Sequence, residues 1–300
     1  MKILLLGGTS EAKAIAKELI ALELTVIYSI AGLVRKPILD CEIIQGGFSH
    51  FSQKESIQNE SIQNESIQKE GTQHRDGLTE YLLTEKIDYL LDVTHPFALK
   101  MTQQAIRSAQ AVNIPYCAFV RPKWEAQEGD DWSLLEDENQ LLNELALAVN
   151  AGSTNIFYTN GQLSRELAIE LDSIAELNES FGPTRYIVRS AKETELPQHA
   201  HWIQAIGPFS FDDERDLLVE NEVDLIVSKN SGGEATRAKL EAARELGIRV
   251  LMLQRPLLHE LQRTQTESSN GKEFNSLAEC VEDIKRAMIK IMMKEKPRAI

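Results

Sequence analysis

Lys2-Ile3-Leu4-Leu5-Leu6-Gly7-Gly8-Thr9-Ser10-Glu11-Ala12-Lys13-Ala14-Ile15-Ala16-Lys17-Glu18-Leu19 reads as a strand, a glycine turn and a helix. Ile3 to Leu6 make a short unbroken apolar run, the pattern of a strand buried on both faces of a parallel sheet. In residues 11–22, Ala12, Ile15, Ala16 and Leu19 recur at helical spacing, so one stripe of that helix faces a core. A buried strand turning through glycines into an amphipathic helix is the building unit of an α/β fold.

The same alternation continues along the chain. Residues 25–30, 41–44, 89–93 and 115–120 read as strands, with helices over 78–83 and 104–111. Residues 123–155 read as a crossing between two lobes, with Trp124 and Trp132 flanking an acidic turn. A second α/β run follows, with strands at 156–159, 186–189, 202–206 and 224–228, a helix at 235–246 and a last strand at 249–253. Ser276 and Glu279 form a capping box before Val281, Ile284, Met288 and Ile291, which predicts a terminal helix packed on a lobe. The expected organisation is a nucleotide-binding lobe over 1–125, a substrate lobe over 126–260, and a loop with a helix over 261–300. Both lobes are expected to carry parallel sheets flanked by helices, with ligand space between them. Ser56-Ile57-Gln58-Asn59-Glu60 recurs at 61–65 and nearly so at 66–70, a polar five-residue repeat that fits neither helical nor strand period. It reads as a low-complexity insertion spanning 52–76 within the first lobe.

The chain has 300 residues and a formal net charge of −14. That field disfavours nucleic acid and anionic membrane as partners, without excluding a small anion in a local basic site. No stretch approaches the roughly 18 consecutive apolar residues of a membrane span. Met1 to Leu6 enters an apolar run with no basic region or cleavage site, so a secretory signal is not expected. Cys41, Cys117 and Cys280 are few, odd in number and far apart, which fits a reducing compartment and neither a disulfide framework nor a metal site. A cytoplasmic location is the expectation.

Four loops carry residues suited to chemistry. Gly7, Gly8, Thr9, Ser10 and Glu11 open a helix whose N-terminal N–H groups suit a diphosphate, although the strict G-x-G-x-x-G order is absent. A diglycine turn is also an ordinary tight-turn device. The end of the second strand has no acidic residue before Asp40 and offers Ser29, Ala31, Gly32, Arg35 and Lys36, which favours the 2′-phosphate of NADPH over the free hydroxyl of NADH, the alternative being a solvated basic loop. Thr94, His95, Pro96 and Phe97 follow the fourth strand, where a nicotinamide ring would lie. Lys229, Asn230, Ser231, Gly232 and Gly233 lie between a strand and a helix and suit a carboxylate or phosphate. Arg121-Pro122 and Arg255-Pro256 each follow the fifth-type strand of their half, which points to an internal duplication and gives two further candidates for substrate carboxylates.

In this order these segments resemble the precorrin-6A reductase family. The stretches that carry the resemblance are Leu5 to Glu11, Ser29-Ile30-Ala31-Gly32, Gly46-Gly47-Phe48, Asp92 to Ala98, Arg121-Pro122-Lys123-Trp124, Gly207-Pro208-Phe209, Lys229 to Gly233 and Arg255-Pro256. The resemblance implies two Rossmann-like lobes and NADPH-dependent reduction of one carbon–carbon double bond of precorrin-6A, or its cobalt form, in cobalamin biosynthesis. A tetrapyrrole is then the partner, with other enzymes of that pathway as possible neighbours. Two departures stand out. The family tends to carry Arg directly after Ser-x-Ala-Gly, where this chain has Leu33, leaving Arg35 as a displaced candidate. The repeat also falls where the family has a short join. The chain beyond about residue 260 lies outside the resemblance. The cofactor brings the hydride, so the protein orients the ring and provides a proton, for which Lys229 and His95 are the catalytic candidates. Rival readings are an NADP-dependent reductase of another small substrate and a non-catalytic nucleotide-sensing module. The first would want a Tyr-x-x-x-Lys pair beside a strand end, and none is present.

Overall fold

The computed structural model describes residues 1–32, 37–51, 76–177, 182–256 and 272–295, the last five of them as backbone only. The chain divides into two compact units, Met1–Val120 with His259–Ile300, and Arg121–Leu258.

Unit 1 begins with β1 (Lys2–Leu6), α1 (Ser10–Ala21), β2 (Thr25–Ile30) and β3 (Glu42–Gln45). It continues with α2 (Gly77–Thr84), β4 (Tyr89–Asp92), α3 (Leu99–Val112) and β5 (Tyr116–Phe119). Two elements then return from the far end of the chain, β12 (Lys272–Phe274) and α8 (Leu277–Glu295). Its sheet has the order β12-β5-β4-β1-β2-β3, parallel throughout. Ile3, Leu4 and Leu5 are fully buried, as a central strand covered on both faces requires. The buried face of α1 consists of Ala12, Ile15, Ala16 and Leu19, the stripe expected from its spacing. Cys280 and Ile284 of α8 join that same core, and Cys117 and Cys280 bring their Sγ atoms within 3.9 Å. Lys272 and Tyr89 both reach the Asp283 carboxylate, which ties β12 and α8 to β4.

Unit 2 contains β6 (Trp132–Leu135), α4 (Glu138–Asn150), β7 (Asn155–Tyr158), α5 (Arg165–Ala175), β8 (Arg185–Ser190) and β9 (Ala200–Gln204). These are followed by α6 (Phe211–Glu220), β10 (Leu225–Lys229), α7 (Ala238–Leu246) and β11 (Arg249–Leu253). The sheet order is β6-β11-β10-β7-β8-β9, again parallel throughout. Strand for strand the two sheets share one topology. In each, the sixth edge strand comes from chain that has just left the other unit: β6 follows β5, and β12 follows β11.

Three expectations are corrected here. Residues 123–155 are not a plain crossing, because they contain β6 and α4. Asp137 caps α4, accepting from the Gln140 N–H, and Leu141, Leu145, Ala148 and Val149 are its buried face. β11 is not the last strand, since β12 follows it. The helix after β10 starts three residues later than expected, at Ala238, after a short 3₁₀ turn at Glu234–Thr236. The repeat falls outside the described residues, but the end assigned to the insertion, Asp76, is structural. Its carboxylate caps α2 and accepts from Thr79, Gln104 and Ser108, tying α2 to α3.

Candidate functional site

In unit 1 the order β4-β1-β2 places the ends of three neighbouring strands side by side. A switch in strand order falls between β1 and β4, and open α/β sheets bind ligands at the carboxyl edge of such a point. Three of the segments singled out in the sequence meet there. Gly7 N–H donates to the Ser29 carbonyl at 2.8 Å. Thr9 Oγ1 donates to the Val93 carbonyl at 2.9 Å and accepts from the Ala12 N–H at 3.1 Å, so one hydroxyl caps α1 and ties its start to the loop after β4. Gly8 N–H donates to the Tyr28 hydroxyl at 3.2 Å.

The two glycines serve different needs. A Cβ on Gly7 would lie 2.4 Å from Tyr28 Cζ, so Gly7 is set by the aromatic ring against it. Gly8 has φ +118° and no atom within 4 Å of a Cβ position, so its backbone needs glycine while the space beside it is open. An open flank at a helix N-terminus fits an approaching phosphate group. Ser10 and Glu11 begin the helix, with the Ser10 hydroxyl on the Glu11 carboxylate at 3.2 Å. Ser29 is buried inside β2 and meets the turn through its carbonyl, whereas Ala31 and Gly32 are exposed. Arg35 lies outside the described residues.

The loop after β4 is organised by Asp92, which the sequence reading quoted but gave no role. Its carboxylate is 3% exposed and accepts four hydrogen bonds: Thr94 N–H at 3.0 Å, Thr94 Oγ1 at 2.7 Å, Thr102 Oγ1 at 2.8 Å and Tyr116 Oη at 3.2 Å. Burial first, and the Asp92 charge second, push the Tyr116 phenol far above its ordinary range, so it stays a donor. Beyond Thr94, the exposed His95 accepts the Phe97 N–H on Nδ1 at 3.3 Å, and Phe97 packs with its ring centroid 5.8 Å from that of His95.

In unit 2, Lys229 ends β10 half-buried, with Nζ donating to the Asn160 carbonyl at 2.9 Å. Burial lowers its pKa, opposed by the Glu138 charge. The rest of this segment is tightly buckled. Asn230 is 1% exposed and clamps the Trp124 backbone from both sides, accepting at 2.8 Å and donating at 3.1 Å. Arg121 Nε donates to the Ser231 carbonyl at 2.6 Å, and an Arg255 terminal nitrogen donates to the Arg121 carbonyl at 2.6 Å. Gly232, at φ +72°, passes so close to the Pro122 carbonyl that a Cβ would sit 1.9 Å from its oxygen. A Cβ on Gly233 would meet the Arg121 guanidinium. The structure thus brings Lys229 to Gly233, Arg121 and Arg255 into one constellation, in which the two arginines hold the loop through backbone carbonyls.

Beside that segment lies a groove of about 550 Å³ whose lining includes Trp124, Trp132, Gly232, Arg237 and Arg244. Its arginines are paired, Arg237 with Glu234 and Glu241, and Arg244 with Asp130 at 2.9 Å. Deeper in unit 2 is a cluster that sequence reading missed. Arg189 makes a two-pronged pair with the fully buried Glu214, at 2.8 and 3.0 Å, and its guanidinium covers the Phe209 ring at 3.8 Å. Lys239 is buried next to this pair, and burial, reinforced by Arg189, lowers its pKa to about 7. These residues lie on separate elements, so no local motif announced them. Among the described residues, no group of three or more His, Cys, Asp or Glu is placed to hold a metal ion, and no helix is long and apolar enough to cross a membrane.

Comparison with known proteins decides the relationship. The family described as Precorrin-6x reductase CbiJ/CobK matches residues 2–64 and 52–285. The precorrin-6A reductase of Rhodococcus erythropolis is 34% identical over 262 residues, spanning 86% of this chain and 90% of that protein. The chain belongs to the precorrin-6x reductase family. The cobalt-precorrin-6A reductase of Methanococcus maripaludis is 25% identical over 85% of this chain and 92% of its own length. A solved structure of CobK precorrin-6A reductase has a TM-score of 0.70 and 26% identity, covering 96% of this chain and 97% of that one. The family match overturns the expectation that the chain beyond residue 260 lies outside the resemblance, because it runs to residue 285 and takes in β12 and the first half of α8. The two matched stretches overlap at 52–64, within the span assigned to the insertion. A reductase of this family requires a hydride donor.

Proposed function

We propose that the chain reduces one carbon–carbon double bond of precorrin-6A, or of cobalt-precorrin-6A, to the corresponding 6B macrocycle of corrin synthesis, with NADPH as donor. The observation that carries this reading is the hydrogen-bonded convergence of the Gly7 turn, the end of β2 and the Thr94 loop at one sheet edge, in a member of the precorrin-6x reductase family.

Gly7, Gly8, Thr9, Ser10 and Glu11 would hold the diphosphate against the start of α1. Ala31, Gly32 and Arg35 would receive the 2′-phosphate, with Ser29 supporting the turn from behind. Thr94, His95, Pro96 and Phe97 would form the wall for the nicotinamide, kept in place by Asp92. When bound, NADPH supplies the hydride to one carbon of the double bond.

The chain's own task is to orient the reactants and place a proton for the neighbouring carbon. Lys229 is one candidate acid, since burial lowers its pKa from the ordinary lysine value. His95 is the other, held in the loop by the Phe97 N–H on its Nδ1. Lys229 to Gly233 would receive the macrocycle's carboxylates, with Arg121 and Arg255 keeping the segment in shape. Calorimetric titration tests the cofactor assignment: NADPH is expected to bind at least about tenfold more tightly than NADH, a difference of about 1.4 kcal/mol. Equal or tighter NADH binding would sink it.

A further inference from the structure

The Gly7-Gly8 turn rests on a side chain that belongs to the next strand. Tyr28 sits in β2 paired with Leu5 of β1, one register position before the Leu6–Ser29 pair at which β1 ends. Its ring is 1% exposed and reaches along the sheet to fill the space under Gly7. A Cβ on Gly7 would lie 2.4 Å from its Cζ, 2.5 Å from its Oη and 2.8 Å from its Cε1. The same hydroxyl accepts the Gly8 N–H at 3.2 Å. Burial raises the phenol's pKa, so the hydroxyl keeps its own proton and acts as a neutral acceptor toward Gly8.

Three tethers define the turn: Gly7 N–H to the Ser29 carbonyl, Gly8 N–H to Tyr28 Oη, and Thr9 Oγ1 to the Val93 carbonyl. The second is the only one of the three that acts on Gly8, the most permissive residue of the turn. Gly8 has φ +118° and nothing within 4 Å of its Cβ position, so packing does not hold its backbone. The bond also commits the Gly8 N–H to a buried side chain of the protein itself.

We propose that Tyr28 is a positioning residue for the dinucleotide's diphosphate, its ring setting the height of the turn under Gly7 and its hydroxyl fixing Gly8. The proposal rests on the NADPH assignment above and adds a residue to it. Without the hydroxyl, Gly8 samples other conformations, and the ligand must pay the cost of ordering the turn.

Tyr28→Phe removes one oxygen and keeps the buried ring. Titrations of wild type and variant with NADPH and with adenosine 2′-monophosphate, which carries the 2′-phosphate but no diphosphate, separate the outcomes. NADPH affinity is expected to fall about five- to tenfold, the worth of one hydrogen bond, while affinity for the monophosphate stays unchanged. Gly8→Ala, which keeps Tyr28 but forces a side chain onto the left-handed backbone, is expected to show the same selective loss. Unchanged or tighter NADPH binding by Tyr28→Phe overturns the positioning role. A parallel loss for both ligands also overturns it, since it marks a general disturbance of unit 1. Failure of the wild type to bind NADPH overturns the cofactor assignment itself, and the positioning role with it.

Discussion

Replacing Asp92 is the most informative single perturbation of the Thr94 loop. The carboxylate is buried and divides its four bonds evenly. Oδ1 takes the Thr94 N–H and hydroxyl, while Oδ2 takes the Thr102 and Tyr116 hydroxyls. Asp92→Asn preserves the first pair and turns Nδ2 toward two hydroxyls, which can rotate to accept. Two bonds are then reversed and none is lost outright, so the cost is the lost charge assistance, about 1–2 kcal/mol. Asp92→Ala removes all four. The Thr94 N–H cannot rotate and loses its Asx-turn acceptor, and two buried hydroxyls lose theirs, for about 3–5 kcal/mol. Urea denaturation curves for wild type and both variants measure the two costs. An Ala variant no less stable than the Asn variant would refute the reasoning, because the hydrogen-bond count would then not govern the loop. NADPH affinity is expected to fall in the same order, since the loop carries Thr94 to Phe97.

Gly232→Ala combines a left-handed backbone with a Cβ 1.9 Å from a carbonyl oxygen, so a loss of at least about 3 kcal/mol or insoluble expression is expected, and a stable variant would deny the close approach. Glu214→Ala leaves Arg189 buried without its partner and is expected to cost about 3–5 kcal/mol, with Arg189→Met in the same chain recovering part of it; thermal melts of the three proteins test this. Lys239 has a folded pKa near 7 against an ordinary 10.5, so between those values the unfolded chain binds the extra proton. Stability from this group therefore rises with pH across that window, by up to about 1.4 kcal/mol per pH unit. Lys239→Met should remove that slope between pH 7 and 9, and an unchanged slope would contradict the buried, neutral state.

Much of the fold was legible because the parallel strands are unbroken apolar runs. Ile3 to Leu6 and Tyr89 to Leu91 are buried on both faces, and such runs stand out without any alternation to decode. Two of the four edge strands, β6 and β12, did not stand out. β6 has only four residues and leaves Leu134 half-exposed, and β12 has three, so neither shows the run that marked the others. α4 was readable from its Asp137 cap and its Leu141, Leu145 and Val149 spacing, but the expected inter-lobe crossing masked it. The exchange of edge strands between units is a tertiary choice with no local signal. At the site, the loop positions followed from strand ends, but the roles within loops did not. Asn230, Gly232 and Arg121 were legible as parts of a loop suited to an anion, but their role in holding backbone was not, because their partners lie more than a hundred residues away. Asp92, Tyr28 and the Arg189–Glu214–Lys239 cluster were missed for the same reason: each acts through side chains on other elements.

The central claim is that this chain moves a hydride from NADPH to a precorrin-6A macrocycle. The direct measurement is anaerobic incubation of the full chain with precorrin-6A, and separately with its cobalt form, using NADPH deuterated at the transferable position. One NADPH is expected to be oxidised per macrocycle, and the product is expected to gain two hydrogens, one of them the deuterium. NADPH that binds but is not consumed with either macrocycle, or a product without deuterium, would contradict it.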